Sequence, residues 1–123
     1  MATGALGKVY RAGEVIVRQG EIGTCMYVIQ SGKAEVVEEL GDKSVRLAVL
    51  GENDFFGEMA IFEHEARSAT VRALGEATVL TIEKKILLQR IQEDPSLAFR
   101  ILEHLCHRVR KLDGELAQLK ERA

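Results

Sequence analysis

A chain of 123 residues, 46% hydrophobic and 29% charged, has enough apolar surface for one core and not for two. Its formal net charge of −2 lacks the basic excess on which direct nucleic-acid binding depends. No run approaches the ~20 consecutive apolar residues of a transmembrane helix, and Met1 to Gly7 lack the charged-then-apolar order of a signal peptide.

In chain order, residues 9 to about 82 carry short runs rich in Val and Ile, separated by turn signals. Glu14 to Arg18 predicts a first strand ending at Gln19-Gly20. Cys25 to Gln30 predicts a second, ending at Ser31-Gly32, and Lys33 to Leu40 a third. Gly41-Asp42 turns the chain, and Ser44 to Leu50 returns. After an interruption, Ala69 to Leu74 and Ala77 to Ile82 complete the set. Strands at this spacing predict a closed or nearly closed all-β unit, with glycines at the breaks, where a positive φ is cheap.

From residue 83 onward the sequence favours helix. Residues 83–93 place Ile86, Leu87 and Ile91 near one face. Asp94 suits an N-cap and Pro95 the first helical position, so a second helix is expected over 95–121. That helix carries Leu97, Ile101, Leu105, Val109, Leu112, Leu116 and Leu119. From Leu105 the spacing is 4, 3, 4 and 3, a heptad seam that suggests a partner helix, most simply the same helix of a second copy. The plainer alternative is a surface helix with a frayed end, which Gly114 favours.

The interruption, Asn53 to Val71, carries the chemistry. It opens on a turn, passes through a helix-like run at Glu58 to Phe62, and enters a strand through Arg67-Ser68-Ala69. Gly57 permits close backbone approach, and the first N–H groups of a short helix are unpaired donors. Arg67 offers a guanidinium fork to two phosphate oxygens, and Ser68 a hydroxyl. Glu58 would be repelled by a phosphate, so it must face hydroxyls, as a ribose would present. The set reads as a site for a sugar joined to a phosphate. The alternative is a structural ion pair between Glu58 and Arg67. Phe55, Phe56 and Phe62 are expected in the core.

The run Phe56-Gly57-Glu58-Met59-Ala60, followed at fixed separation by Arg67-Ser68-Ala69-Thr70-Val71, resembles the phosphate-binding cassette of the cyclic-nucleotide-binding domain family. Gly13-Glu14-Val15-Ile16, Gly20, Met26-Tyr27-Val28-Ile29, Ser31-Gly32-Lys33 and the Asp94-Pro95 break extend the likeness over residues 9 to 113. The resemblance implies a mainly β fold: a jelly-roll-like, double-stranded β-helix of eight strands followed by B and C helices, all in one domain over residues 1–123. It implies that Glu58 accepts from the ribose 2′-hydroxyl, that Arg67 pairs with the cyclic phosphate, and that Gly57, Met59, Ala60, Ser68 and Ala69 line the ligand. The ligand would be cAMP or cGMP, with no other cofactor. Three positions depart from the pattern. Asn53 stands where glycine is usual, and asparagine tolerates the left-handed region. Ala66 stands where proline is frequent. Leu112 and Asp113 stand where a family member presents hydroxyls to adenine. Asp113 could accept from an adenine amino group, take the paired N–H groups of a guanine edge, or remain a solvated charge; these stay open.

Cys25 and Cys106 are expected to be small buried residues in a reducing cytoplasm, without a disulfide. His64, His104 and His107 do not converge with other ligand types, so no metal is expected. No nucleophile–base pair is visible, which argues against an enzyme. A ligand-gated regulatory module is the leading reading. The alternative is a dimerisation or docking module indifferent to nucleotide.

Overall fold

A computed structural model describes residues 7–59 and 66–122. The chain divides into two compact units, Met1–Lys84 and Lys85–Ala123. The first holds β1 (Lys8–Tyr10), β2 (Val15–Val17), β3 (Cys25–Leu40), β4 (Lys43–Leu50), β5 (Phe55–Phe56) and β6 (Thr70–Glu83). The second holds α1 (Lys84–Glu93), save its first residue, and α2 (Ser96–Arg122). A mainly β architecture followed by helices is therefore borne out, with six strands among the described residues.

Every pairing is antiparallel. The order is β1-β6-β3-β4, with β2 on β6 and β5 on β3. β3 is the central element. Its first half pairs with β5 and the end of β6, and its second half with β4 and the start of β6.

Two expected strand breaks are instead bends within continuous strands. Ser31-Gly32 does not end a strand, and neither does Gly75-Glu76. The ladder between β3 and β6 passes from Ser31↔Thr78 to Lys33↔Leu74. Gly32 thus faces the looped-out residues 75–77, and both Gly32 (φ 83°) and Gly75 (φ 79°) adopt the left-handed conformation. A Cβ on Gly32 would stand 2.8 Å from Ala77 Cα, so the two backbones meet too closely for a side chain.

The core of the strand unit gathers Tyr10, Val17, Ile29, Ala34, Phe56, Val71, Ala73, Ala77 and Val79. They come from five of the six strands, which is what joins local alternation into one unit. Full burial of an Ile, Val or Phe stabilises by about 1.5–3 kcal/mol before entropy is counted.

In the helical unit Leu87 and Ile101 are buried, while Ile86 is exposed rather than sharing the buried face. Asp94 caps α2 as expected: its carboxylate accepts from the Ser96 N–H at 3.2 Å and from the Ser96 hydroxyl. Those hydrogen bonds hold the Asp94 carboxyl below its ordinary range, with Arg100 assisting. Cys106 is exposed and Cys25 partly exposed, so the expectation of two buried cysteines fails; both are free thiols. Cys106 follows half-buried Leu105 on α2 and falls on the side of the helix that faces solvent.

Candidate functional site

The interrupted segment is anchored at both ends by backbone hydrogen bonds. Asn53 has a φ of 71°, as its stand-in role for glycine requires. The Asn53 N–H donates to the Ile29 carbonyl at 2.8 Å, and the Ile29 N–H donates to the Asp54 carbonyl at 2.9 Å. The Asp54 carboxylate accepts from the Gly51 N–H at 2.8 Å and closes the turn. Phe55 and Phe56 then pair with Val28 and Tyr27 and are buried, as expected; Phe62 and His64 lie outside the described residues.

Gly57 follows in the left-handed conformation, φ 82°. Next to it Glu58 is only 5% exposed, one of two buried polar residues among those described, the other being Thr70. A carboxylate in such a place needs donors around it. Met59 is exposed. Ala60, the remaining expected contact of this run, lies outside the described residues, as does the rest of the helix-like run to Phe62.

The second anchor is at Ala66 and Arg67. Ala66 bridges to Ile22. The Arg67 N–H donates to the Glu21 carbonyl, and the Gly20 N–H donates to the Arg67 carbonyl, each at 2.8 Å. Ser68 is exposed and Ala69 half-buried, both just ahead of β6.

These two anchors bring Arg67 onto Gly57. The guanidinium donates from Nη1 to the Gly57 carbonyl and from Nη2 to the Cys25 carbonyl, both at 3.0 Å. Its Cζ stands 5.7 Å from the centroid of the Tyr27 ring, within cation–π range. Tyr27 in turn stacks on Phe56, centroids 5.1 Å apart and planes 15° off parallel. Burial pushes the Tyr27 hydroxyl pKa up, while Arg67 pulls it the other way. Glu35 pairs with Arg46 and Arg72, and Asp94 with Arg100; among the described residues Arg67 has no ion-pair partner. Its positive charge is held by carbonyl dipoles and a ring face, which fix its position without neutralising it. A planar cation so held is suited to an anion.

The geometry thus brings Arg67 onto Gly57, with Glu58 and Met59 following Gly57 in the chain and Ser68 and Ala69 following Arg67. Leu112 and Asp113 lie on α2 in the helical unit, both exposed, Leu112 by 63%. Sequence reasoning missed the residues that seat Arg67: Tyr27, the Cys25 carbonyl and Gly23. No local pattern marks them, because each meets Arg67 across 40 or more positions of the chain.

Likenesses to known proteins bear on the site. The chain matches a family model described as cyclic nucleotide-binding domain over residues 7–94. A cGMP-dependent protein kinase of Eimeria tenella is 42% identical over 108 residues, covering 87% of this chain and 10% of the kinase. The crystal structure of the Thermus thermophilus catabolite activator protein superposes with a TM-score of 0.80 at 32% identity, over 92% of this chain and 54% of that one. The regulatory domain of Toxoplasma gondii PKA, co-crystallised with cAMP, gives a TM-score of 0.64 at 28% identity over 78% of this chain and 38% of that one. The chain spans about half the length, or less, of the curated relatives it matches.

Proposed function

The chain belongs to the cyclic nucleotide-binding domain family, and from that premise we propose that it senses cAMP or cGMP through Arg67 and Glu58. The observation that carries this reading is the guanidinium of Arg67, fixed on the carbonyls of Gly57 and Cys25 and taking part in no ion pair among the described residues. The cyclic phosphate pairs with Arg67, with Ser68 and the backbone from Gly57 to Ala60 completing its contacts. Glu58, buried beside Gly57, takes the ribose 2′-hydroxyl. The base reaches Leu112 and Asp113, and that contact shifts α2 between two arrangements, which is how binding becomes a signal. The output is a change of shape with no bond made or broken, in a cytoplasmic module free of metal and of direct nucleic-acid contact.

Calorimetric titration with cAMP and with cGMP tests this reading, with Arg67→Ala alongside. A saturable heat in the native protein that vanishes in the variant is the expected result, and the tighter nucleotide reports what Asp113 reads. A nucleotide at about 100 times its Kd adds about 2.7 kcal/mol of stability in a thermal scan. No heat from a folded protein with either nucleotide defeats the proposal.

One observation favours a second role alongside the first. Val109, Leu112, Leu116 and Leu119 are all exposed on α2. We propose that a second copy of the chain covers this seam, so that the sensor works as a homodimer.

A further inference from the structure

Arg67 is held by more than its hydrogen bonds. Gly23 lies against it. A Cβ built on Gly23 would stand 2.7 Å from Arg67 Cζ and 2.8 Å from Nε, closer than any real contact of that kind. The φ of Gly23 is not in the left-handed region, so its backbone would accept an alanine without strain. Glycine is therefore needed at 23 for the space it leaves and not for its flexibility. Gly57 is different. There a Cβ would stand 2.6 Å from Arg67 Nη1, and φ 82° also demands glycine. Of these two glycines, only Gly23 separates the seating of the guanidinium from the fold of the backbone.

We propose that Gly23 is a positioning residue for the phosphate site: by lacking a side chain it lets the Arg67 guanidinium lie on the Cys25 and Gly57 carbonyls and over the Tyr27 ring, in the place where a cyclic phosphate is received. This rests on Arg67 being the phosphate ligand. An alanine at 23 meets the far end of a flexible side chain, so the guanidinium swings away and the fold stays. Affinity and stability then part company. Gly→Ala at a compatible φ leaves stability unchanged or slightly raised, because it restricts the unfolded chain. Misplacing a charge-assisted hydrogen bond costs about 10- to 100-fold in binding. Tyr27→Leu removes the ring face beneath the cation and keeps apolar bulk, with an expected loss of about two- to fivefold.

The test measures cAMP and cGMP affinity by calorimetry, the thermal midpoint, and the side-chain NMR resonances of Arg67 in the ligand-free protein, for the native chain, Gly23→Ala, Tyr27→Leu and Arg67→Ala. The expected result for Gly23→Ala is at least tenfold weaker binding, an unchanged or higher midpoint, and displaced Arg67 Nε–H and Nη–H signals; Tyr27→Leu moves the same signals with a smaller loss. Native affinity in Gly23→Ala, or weaker binding with the Arg67 signals unmoved, overturns the role of Gly23. If Gly23→Ala does not fold, native affinity or unmoved Arg67 signals in Tyr27→Leu overturn it instead. Native affinity in Arg67→Ala defeats the phosphate-site reading itself, a separate and distinguishable failure.

Discussion

Asn53 shows how closely one side chain can report the backbone it sits on. Asparagine is among the few residues that visit the left-handed region readily, and the turn it occupies has φ 71°. Asn53→Ala should therefore destabilise by about 1 kcal/mol, while Asn53→Gly should be neutral or mildly stabilising. Chemical denaturation of both variants measures it; equal stability in the two would mean that the turn relaxes to negative φ. Glu58 and Arg67 stand out in the sequence for a similar reason: their chemistry is unusual in a glycine-bearing insert. Gly23 was not legible. A glycine gives no sign of what lies against it, and Arg67 is 44 positions further along the chain.

At the level of elements, alternation and turn residues located β2, β4 and both helices to within a residue or two. They failed at Ser31-Gly32 and Gly75-Glu76 because a glycine inside a bent strand and a glycine ending a strand look alike. Only the facing bulges of β3 and β6 distinguish them. The same central strand holds a charged cluster. Glu35 accepts from Arg46 Nε at 3.0 Å and from Arg72 Nε at 2.9 Å, with 12% of its side chain exposed. The two arginines hold its carboxyl below the usual carboxylate range. A depressed folded pKa means that the unfolded chain binds the proton first. The cluster's contribution is thus complete above the ordinary carboxylate pKa of about 4.3 and is lost as pH falls through the folded value. Glu35→Gln should destabilise by about 1 kcal/mol near neutrality, modestly because Arg46 is solvated. It should also flatten the fall of the thermal midpoint between about pH 6 and about pH 3. An unchanged acid limb in that variant would assign acid sensitivity to other carboxylates.

At the scale of the whole molecule, the exposed seam of α2 is the feature an isolated chain leaves unexplained. With Val109 and Leu116 at a positions and Leu112 and Leu119 at d positions, Glu115 falls at g and Lys120 at e. In the proposed homodimer, parallel in-register pairing would set Glu115 of one copy beside Lys120 of the other, an attractive pair at the edge of the seam. Leu116→Glu places a charge in that seam and should convert dimer to monomer in sedimentation analysis. Saturable nucleotide binding should persist in it, because Leu116 is outside the proposed ligand set. A native protein that sediments as a monomer at all concentrations would remove the homodimer from the mechanism.

Local chemistry determined a good deal from sequence alone: a mainly β unit followed by two helices, the Asp94–Pro95 start of the second helix, and membership of the cyclic nucleotide-binding domain family, on which the proposed roles of Glu58 and Arg67 rest. Each depends on residues near one another in the chain, where propensity, periodicity and capping act. Tertiary structure alone decided that two apparent strand breaks are facing bulges, that Cys106 lies in solvent, and that Arg67 is seated by Gly23, Cys25, Tyr27 and Gly57. Those facts depend on which distant backbones and side chains meet, and pairing between strands far apart in the chain is set by the packing of the whole core, which no local pattern encodes.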